Sequence, residues 1–232
     1  MTQARQDLWH VHTYYTTPRP AGQTTRSIYD IWEEGGAFND SITPSTYVPE
    51  YRSHMVLKIL TLTADTGHVL SLGCGNGFVE ADLVKHGRRV TAMDCNAEAV
   101  ELARKKGVDA FVADFFLLQP EDVGAPDVVY ADGLLGHLFD PDGGGFTPTL
   151  SKIESFGLKS GAYVVISNDA TRDPAVPFAP HEKVKDFWFV GKEHLTKGLA
   201  AHGFDPVESY YFPYLRPISG LRNRTICVAR VA

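Results

Sequence analysis

Three places in the chain set chemically useful residues at the ends of apolar runs. VLSL is followed by Gly73-Cys74-Gly75-Asn76-Gly77, RRVTAM by Asp94, and VDAFVA by Asp114. Glycines in the first position let the backbone approach a ligand closely and leave amide donors free at the start of the next helix. A carboxylate at the second position can accept both hydroxyls of a ribose in a bidentate bond. An acid one run further on suits the amino group of adenine. Together, a glycine loop and two successive acids point to an adenosine. A nicotinamide dinucleotide is the sharper rival. Its fingerprint needs a small residue where this chain has Phe78, and the third glycine comes one residue early. An NAD-dependent oxidoreductase therefore stands as a distant alternative, as does a cofactor-binding partner protein without catalysis.

The elements that must position these residues read as alternating strands and helices. HVLSLG, RRVTAMD, VDAFVAD, PDVVYAD and AYVVISND are strand-like, and VEADLVKHG, AEAVELARKKG and TPTLSKIESFG are helix-like, the last capped by Thr147 with Pro148 in its first turn. Such alternation predicts right-handed crossovers and a parallel sheet covered on both faces. After the helix KEHLTKGLAAHGF, the runs VESYYFPYL and RTICVARV flank a Pro/Gly turn and predict an antiparallel hairpin at one sheet edge. Ahead of the sheet, Ser27 to Glu34 and a segment opened by Pro49 carry helical apolar spacing. Residues 1–24 carry none and read as an N-terminal arm or lid, with residues 25–232 as a single domain.

A net charge of −6 argues against a phosphate-backbone partner. No apolar stretch is long enough to span a bilayer, and the start MTQARQDLWHVH lacks a secretory apolar run. Cys74, Cys95 and Cys227 lack metal-like spacing and read as small buried residues in a reducing compartment. The expectation is a cytoplasmic enzyme with a small-molecule substrate and neither nucleic acid nor membrane as partner; assembly into a homo-oligomer stays open.

VLSLGCGNG resembles the first motif of the class I S-adenosylmethionine-dependent methyltransferases, and the resemblance covers roughly residues 25–232. It implies a Rossmann-like α/β fold with a mostly parallel seven-stranded sheet, an antiparallel C-terminal hairpin and helices on both faces. It also implies S-adenosylmethionine as cofactor, with S-adenosylhomocysteine as product. Gly73, Cys74, Gly75, Asn76 and Gly77 would lie against its methionine part, and Asp94 with Cys95 beside its ribose. Asp114 and the backbone at Phe115 would meet the adenine. Tyr29 is also expected at the cofactor, and the tyrosines of the arm could face the sulfonium. One departure stands out: the family usually has Asp or Glu two residues before the first glycine, where this chain has Ser71.

For the acceptor, the fourth strand ends in Asp132-Gly133-Leu134-Leu135-Gly136-His137-Leu138. The N/D-P-P-aromatic tetrapeptide of nucleobase and glutamine methyltransferases is absent. Gly136-His137-Leu138 is similar to the loop of glycine N-methyltransferase and related small-amine enzymes. Tyr51 also matches a tyrosine of that group, although Tyr47 replaces its arginine. Catechol-type O-methyltransferases hold a divalent cation with an Asp and an Asp-Asn pair. Asp132 fits the first, but Ser167-Asn168-Asp169 breaks the pair, so no metal is expected. His10 and His12 lack a third ligand.

The expected catalytic residues are His137, Tyr14, Tyr15 and Asp132, and the expected acceptor contacts are Leu134, Asn168, Asp169 and Arg216. A capping role for His137 and a packing role for the tyrosines compete with these assignments. Arg216, Arg222 and Arg224 read as a solvated turn ahead of a site for an acidic group. The arm and the glycine-rich loop from Pro141 to Phe146 are the candidates to cover the cleft. The resulting expectation is N-methylation of an amine in a metabolite or antibiotic pathway, with O-methylation second.

Overall fold

The computed structural model describes residues 8–21 and 24–232. The chain runs through α1 (Trp9–Thr16), β1 (Arg19–Ala21), β2 (Thr24–Arg26), α2 (Ile28–Glu33), α3 (Pro44–Tyr47) and α4 (Pro49–Leu62) before the sheet begins. There follow β3 (His68–Leu72), α5 (Phe78–Lys85), β4 (Arg89–Asp94), α6 (Ala97–Lys105), β5 (Asp109–Val112), α7 (Pro120–Val123), β6 (Val128–Asp132), α8 (Leu134–Leu138), α9 (Thr147–Glu154) and β7 (Tyr163–Asp169). The chain ends with β8 (Phe178–Pro180), β9 (Trp188–Val190), α10 (Lys192–Ala201), β10 (Phe204–Arg216) and β11 (Gly220–Val231).

The seven-stranded sheet has the order β10-β11-β7-β6-β3-β4-β5. β3, β4, β5, β6 and β7 pair in parallel, and the β10–β11 hairpin joins β7 in antiparallel register. This is the Rossmann-like methyltransferase arrangement expected from the sequence. Every residue of β3 is buried, as a strand covered by helices on both faces must be. On one face Leu70, Leu72, Val129 and Ile166 pack with residues of α9 and α10; on the other Val69, Val128 and Val165 pack with α4, α5 and α6. The chain reverses its direction of winding between β3 and β6, so a crevice opens beyond the carboxyl ends of these strands.

Five features depart from the sequence reading. The described part of the arm forms a helix, α1, and a short β1–β2 hairpin. Its two adjacent tyrosines, Tyr14 and Tyr15, pack on the cluster of Ile28, Tyr29 and Trp32; two neighbouring aromatics anchor a helix without producing any apolar period. Residues 1–7 lie outside the described residues. α8 is only five residues long, too short for periodicity to register. Between β7 and α10 the chain inserts the β8–β9 hairpin. Finally, the Pro141–Phe146 loop folds on itself: Asp140 Oδ1 accepts the amides of Asp142 (3.1 Å) and Gly143 (2.8 Å), and Phe146 packs on Phe139. It takes no part in the crevice wall. Thr147 is the first residue of α9 rather than its cap.

Candidate active site

One cavity lies beyond β3, β4, β6 and β7 and collects most of the residues singled out by sequence. In its first half, Asp94 is the organising group. Its Oδ2 accepts the Gly75 amide at 3.0 Å and its Oδ1 accepts the Asn96 amide at 2.9 Å. Each oxygen keeps a further lone pair, which suits a pair of adjacent hydroxyls. Burial raises this carboxyl, and the amides of Asn96 and Gly75 pull it back. The turn itself requires glycine: Gly73, Gly75 and Gly77 have φ of +70°, +51° and +70°. A Cβ on Gly75 would meet nothing within 4 Å, so this residue turns an open face to the space a ligand would fill. Gly77 serves packing instead, since a Cβ there would come within 2.7 Å of Ala103.

Asn76 ties this loop to α2, donating to the Tyr29 carbonyl at 3.0 Å and to Glu33 at 2.7 Å. Tyr29 Oη accepts from Asn96 at 2.9 Å. Cys74, Cys95 and Phe115 also line the cavity. Burial pushes both thiols up, Cys95 to about 12, so both stay neutral. The sequence reading had these cysteines buried; they are half-buried in the wall. Asp114 stands outside that wall. Its Oδ1 accepts the Phe116 amide at 2.9 Å and holds the short turn Phe115–Leu117, a local bond typical of a short polar side chain at a strand end.

The second half of the cavity lies over β6, β7 and β11. Its floor is a buried network of ions. Arg224 pairs with Asp132 and, at 3.0 Å, with Asp169; Arg216 pairs with Asp169 and reaches Asp40 at 4.0 Å. Tyr51 donates to Asp132 at 2.8 Å, Tyr130 to Asp132 at 3.1 Å, and Tyr214 to Asp169 at 2.5 Å. Burial works to raise the Asp169 carboxyl, but the two guanidiniums outweigh it and hold it far below the usual range. Arg216 and Arg224 are therefore buried floor residues, not a solvated turn; Arg222 stays partly exposed, bonded to the Leu221 carbonyl. Sequence alone could not reveal this, because the partners are supplied by two other strands. Asn168 is fully buried below the floor. It accepts the Gly136 amide at 2.9 Å and donates to the carbonyls of Asp169 and Trp188, so it fixes β7 to α8 and β9 and does not face the cavity.

His137 projects from α8 into the wall beside Leu134. Its Nε2 lies 2.8 Å from Tyr15 Oη. Burial pushes the imidazole down to about 3, so it is neutral near pH 7 and the tyrosine donates to it. Tyr15 also stacks on Tyr29 at 5.3 Å and leans on Trp32. Above the floor the cavity is covered by α1, by Thr43–Thr46 and by the insert, through His181, Val184 and Phe187. The insert fell outside the sequence reading.

Glu80, a further wall residue, escaped it, and Ser71 stands behind it. Ser71 is buried, and its hydroxyl donates at 2.6 Å to Oε1 of Glu80, itself buried in the first turn of α5. Burial raises the Glu80 carboxyl to about 7. The only advance signal was that Ser71 occupies a position where an acid was due. Among the described residues no group of three or more His, Cys, Asp or Glu could hold a metal ion, and no helix is long and apolar enough to cross a membrane.

Residues 69–151 match the family model described as a methyltransferase domain. Over its whole length the chain is 56% identical to a tabtoxin biosynthesis enzyme of Pseudomonas amygdali pv. tabaci, covering 91% of that protein. It is 34% identical over 79 residues to a ubiquinone biosynthesis O-methyltransferase of Xanthomonas oryzae pv. oryzae, 32% of this chain and 33% of that one. Among solved structures, magnesium protoporphyrin IX methyltransferase of Synechocystis PCC 6803 with bound S-adenosylmethionine superposes with a TM-score of 0.65 at 17% identity, covering 100% of both chains.

Proposed function

The chain belongs to the class I S-adenosylmethionine-dependent methyltransferases, and from that premise we propose that it methylates the nitrogen of a small amine in a natural-product pathway. The pathway class rests on the likeness to the tabtoxin biosynthesis enzyme. The acceptor class rests on one observation: the cations of the acceptor half, Arg216 and Arg224, are committed to its own carboxylates. Asp132 and Asp169 line that half and pair with Arg216 and Arg224, while Asp40, outside the wall, accepts the Ile218 and Ser219 amides and reaches Arg216. Arg216 spends its donors on Tyr214, Asp169, the Asp40 carbonyl and His181. An acidic acceptor would have to displace one of these buried pairs; an amine would not.

Bound S-adenosylmethionine supplies an already activated methyl group, so the protein's share of the work is alignment and charge. Asp94 would hold the ribose, with Phe115 against the adenine and the open face of Gly75 against the methionine part. Asp132 and Asp169 stand where positive charge arrives on an acceptor nitrogen, and preorganised carboxylates stabilise that change without rearranging. Tyr15, Tyr29 and Phe187 line the site and would offer ring faces to the sulfonium and to the nitrogen that takes up its charge on methylation. His137 would orient the acceptor as a neutral hydrogen-bonding group.

A hydroxyl acceptor is the second reading, favoured by the Tyr15–His137 bond as a route for a proton. An imidazole at about 3 is a weak base for that task. The short match to the O-methyltransferase spans only 32% of this chain and does not decide the acceptor. Turnover of S-adenosylmethionine against a panel of amines and phenols decides between them. Methylation of amines alone supports the proposal; methylation confined to phenols overturns it.

A further inference from the structure

We propose that Glu80 binds the α-ammonium group of the cofactor, doing from the first turn of α5 what a strand-end acid would do from β3. The inference rests on the reading of the glycine loop as the site of the methionine part, and it deepens that reading.

Glu80 is a carboxylate only 3% exposed, in the wall of the cavity beside Gly73, Cys74 and Asp132. Its one hydrogen-bond partner among the described side chains is the Ser71 hydroxyl, at 2.6 Å, and among the described residues it forms no ion pair. Burial and, after it, the charges of Asp132 and Asp94 oppose its ionisation. A carboxylate buried among carboxylates, with one hydroxyl for company, is costly unless a cation joins it. It opens on the space beside the glycine loop, where the bound cofactor would bring one. Ser71 completes the arrangement: a serine is short enough to leave room for a longer acid arriving from the neighbouring helix, and its hydroxyl fixes that acid's rotamer.

A purely structural Ser–Glu pair makes a different prediction, because glutamine would serve it equally well. Calorimetry with two ligands separates the cases: S-adenosylhomocysteine, and 5′-methylthioadenosine, which keeps the nucleoside but lacks the amino-acid part. In the wild type the first should bind at least tenfold tighter. Glu80→Gln should weaken S-adenosylhomocysteine at least tenfold and leave 5′-methylthioadenosine within about twofold. The double variant Ser71→Asp, Glu80→Gln returns an acid to the strand and should restore much of the loss; it also serves if the single variant does not fold. Unchanged affinity for S-adenosylhomocysteine in Glu80→Gln, or an equal loss for both ligands, overturns the assignment while leaving the cofactor site standing. Binding of neither ligand to the wild type overturns the site and the assignment together.

Discussion

Tyr15 Oη lies 2.8 Å from His137 Nε2, joining a helix at the start of the chain to the short helix after β6, 122 positions away. The bond closes the N-terminal segment over the acceptor half of the cavity. Tyr15→Phe removes it while keeping the ring that stacks on Tyr29. Turnover should fall about tenfold, or about 1.4 kcal/mol of transition-state stabilisation, with S-adenosylhomocysteine affinity unchanged. Because burial keeps His137 neutral down to about pH 3, the kcat profile between pH 6 and 9 should show no limb from it. A limb near 6.5 that vanishes in His137→Gln would show the imidazole titrating in the open.

Asp94 carries the prediction for the other half of the cavity. Two backbone amides hold it at the end of β4, so the carboxylate is preorganised for a diol. Asp94→Ala should weaken S-adenosylhomocysteine by about 1.5–3 kcal/mol through loss of a charged acceptor. Calorimetry measures this directly, and an unchanged Kd would remove Asp94 from the ribose site.

These two sites differ in how far the sequence revealed them. The glycine turn and Asp94 are contiguous with strand patterns, so their place at the carboxyl edge followed from periodicity alone. The sheet, its hairpin and most helices were legible for the same reason. The acceptor floor was not, because Asp132, Asp169, Arg216 and Arg224 come from four strands whose register decides which charges meet. Asn168 misled for the opposite reason: it nearly ends a strand, yet spends its side chain tying β7 to the backbone of Gly136 and Trp188. Glu80 was hidden because a first-turn glutamate is ordinary on any helix.

The floor network makes a stability prediction. Arg224 is buried and holds Asp132 and Asp169 at once. Arg224→Met keeps the bulk but strands the buried Asp132 carboxylate and leaves Asp169 to Arg216 alone, so urea unfolding should show a loss of about 3–5 kcal/mol. A loss below 1 kcal/mol would mean that the carboxylates find other partners or water.

The cover can be tested by truncation. α1 supplies Tyr14 and Tyr15 to the cavity and packs on α2, while Asp94 and the glycine turn are held from the sheet. Removing residues 1–20 should leave a folded protein that binds S-adenosylhomocysteine with turnover reduced at least about tenfold. Wild-type kinetics in the truncated protein would make the segment dispensable.

The Glu80 carboxyl gives the last prediction, in the ligand-free protein. It sits at about 7 where an unfolded chain would place it at 4.5. A carboxyl raised on folding contributes its stability below the unfolded value and loses it as pH rises through the folded one. The wild type should therefore lose stability relative to Glu80→Gln between pH 5 and pH 8, by about 2–3 kcal/mol in urea titrations. The variant binds no proton there, so at pH 8 it should be the more stable protein and the poorer binder. Saturating S-adenosylhomocysteine should stabilise the wild type more than the variant at pH 8, since the ligand brings the missing cation to the ionised group. Parallel stability curves for the two proteins across this range would show that Glu80 ionises as freely folded as unfolded, and that the cavity does not bury it as described.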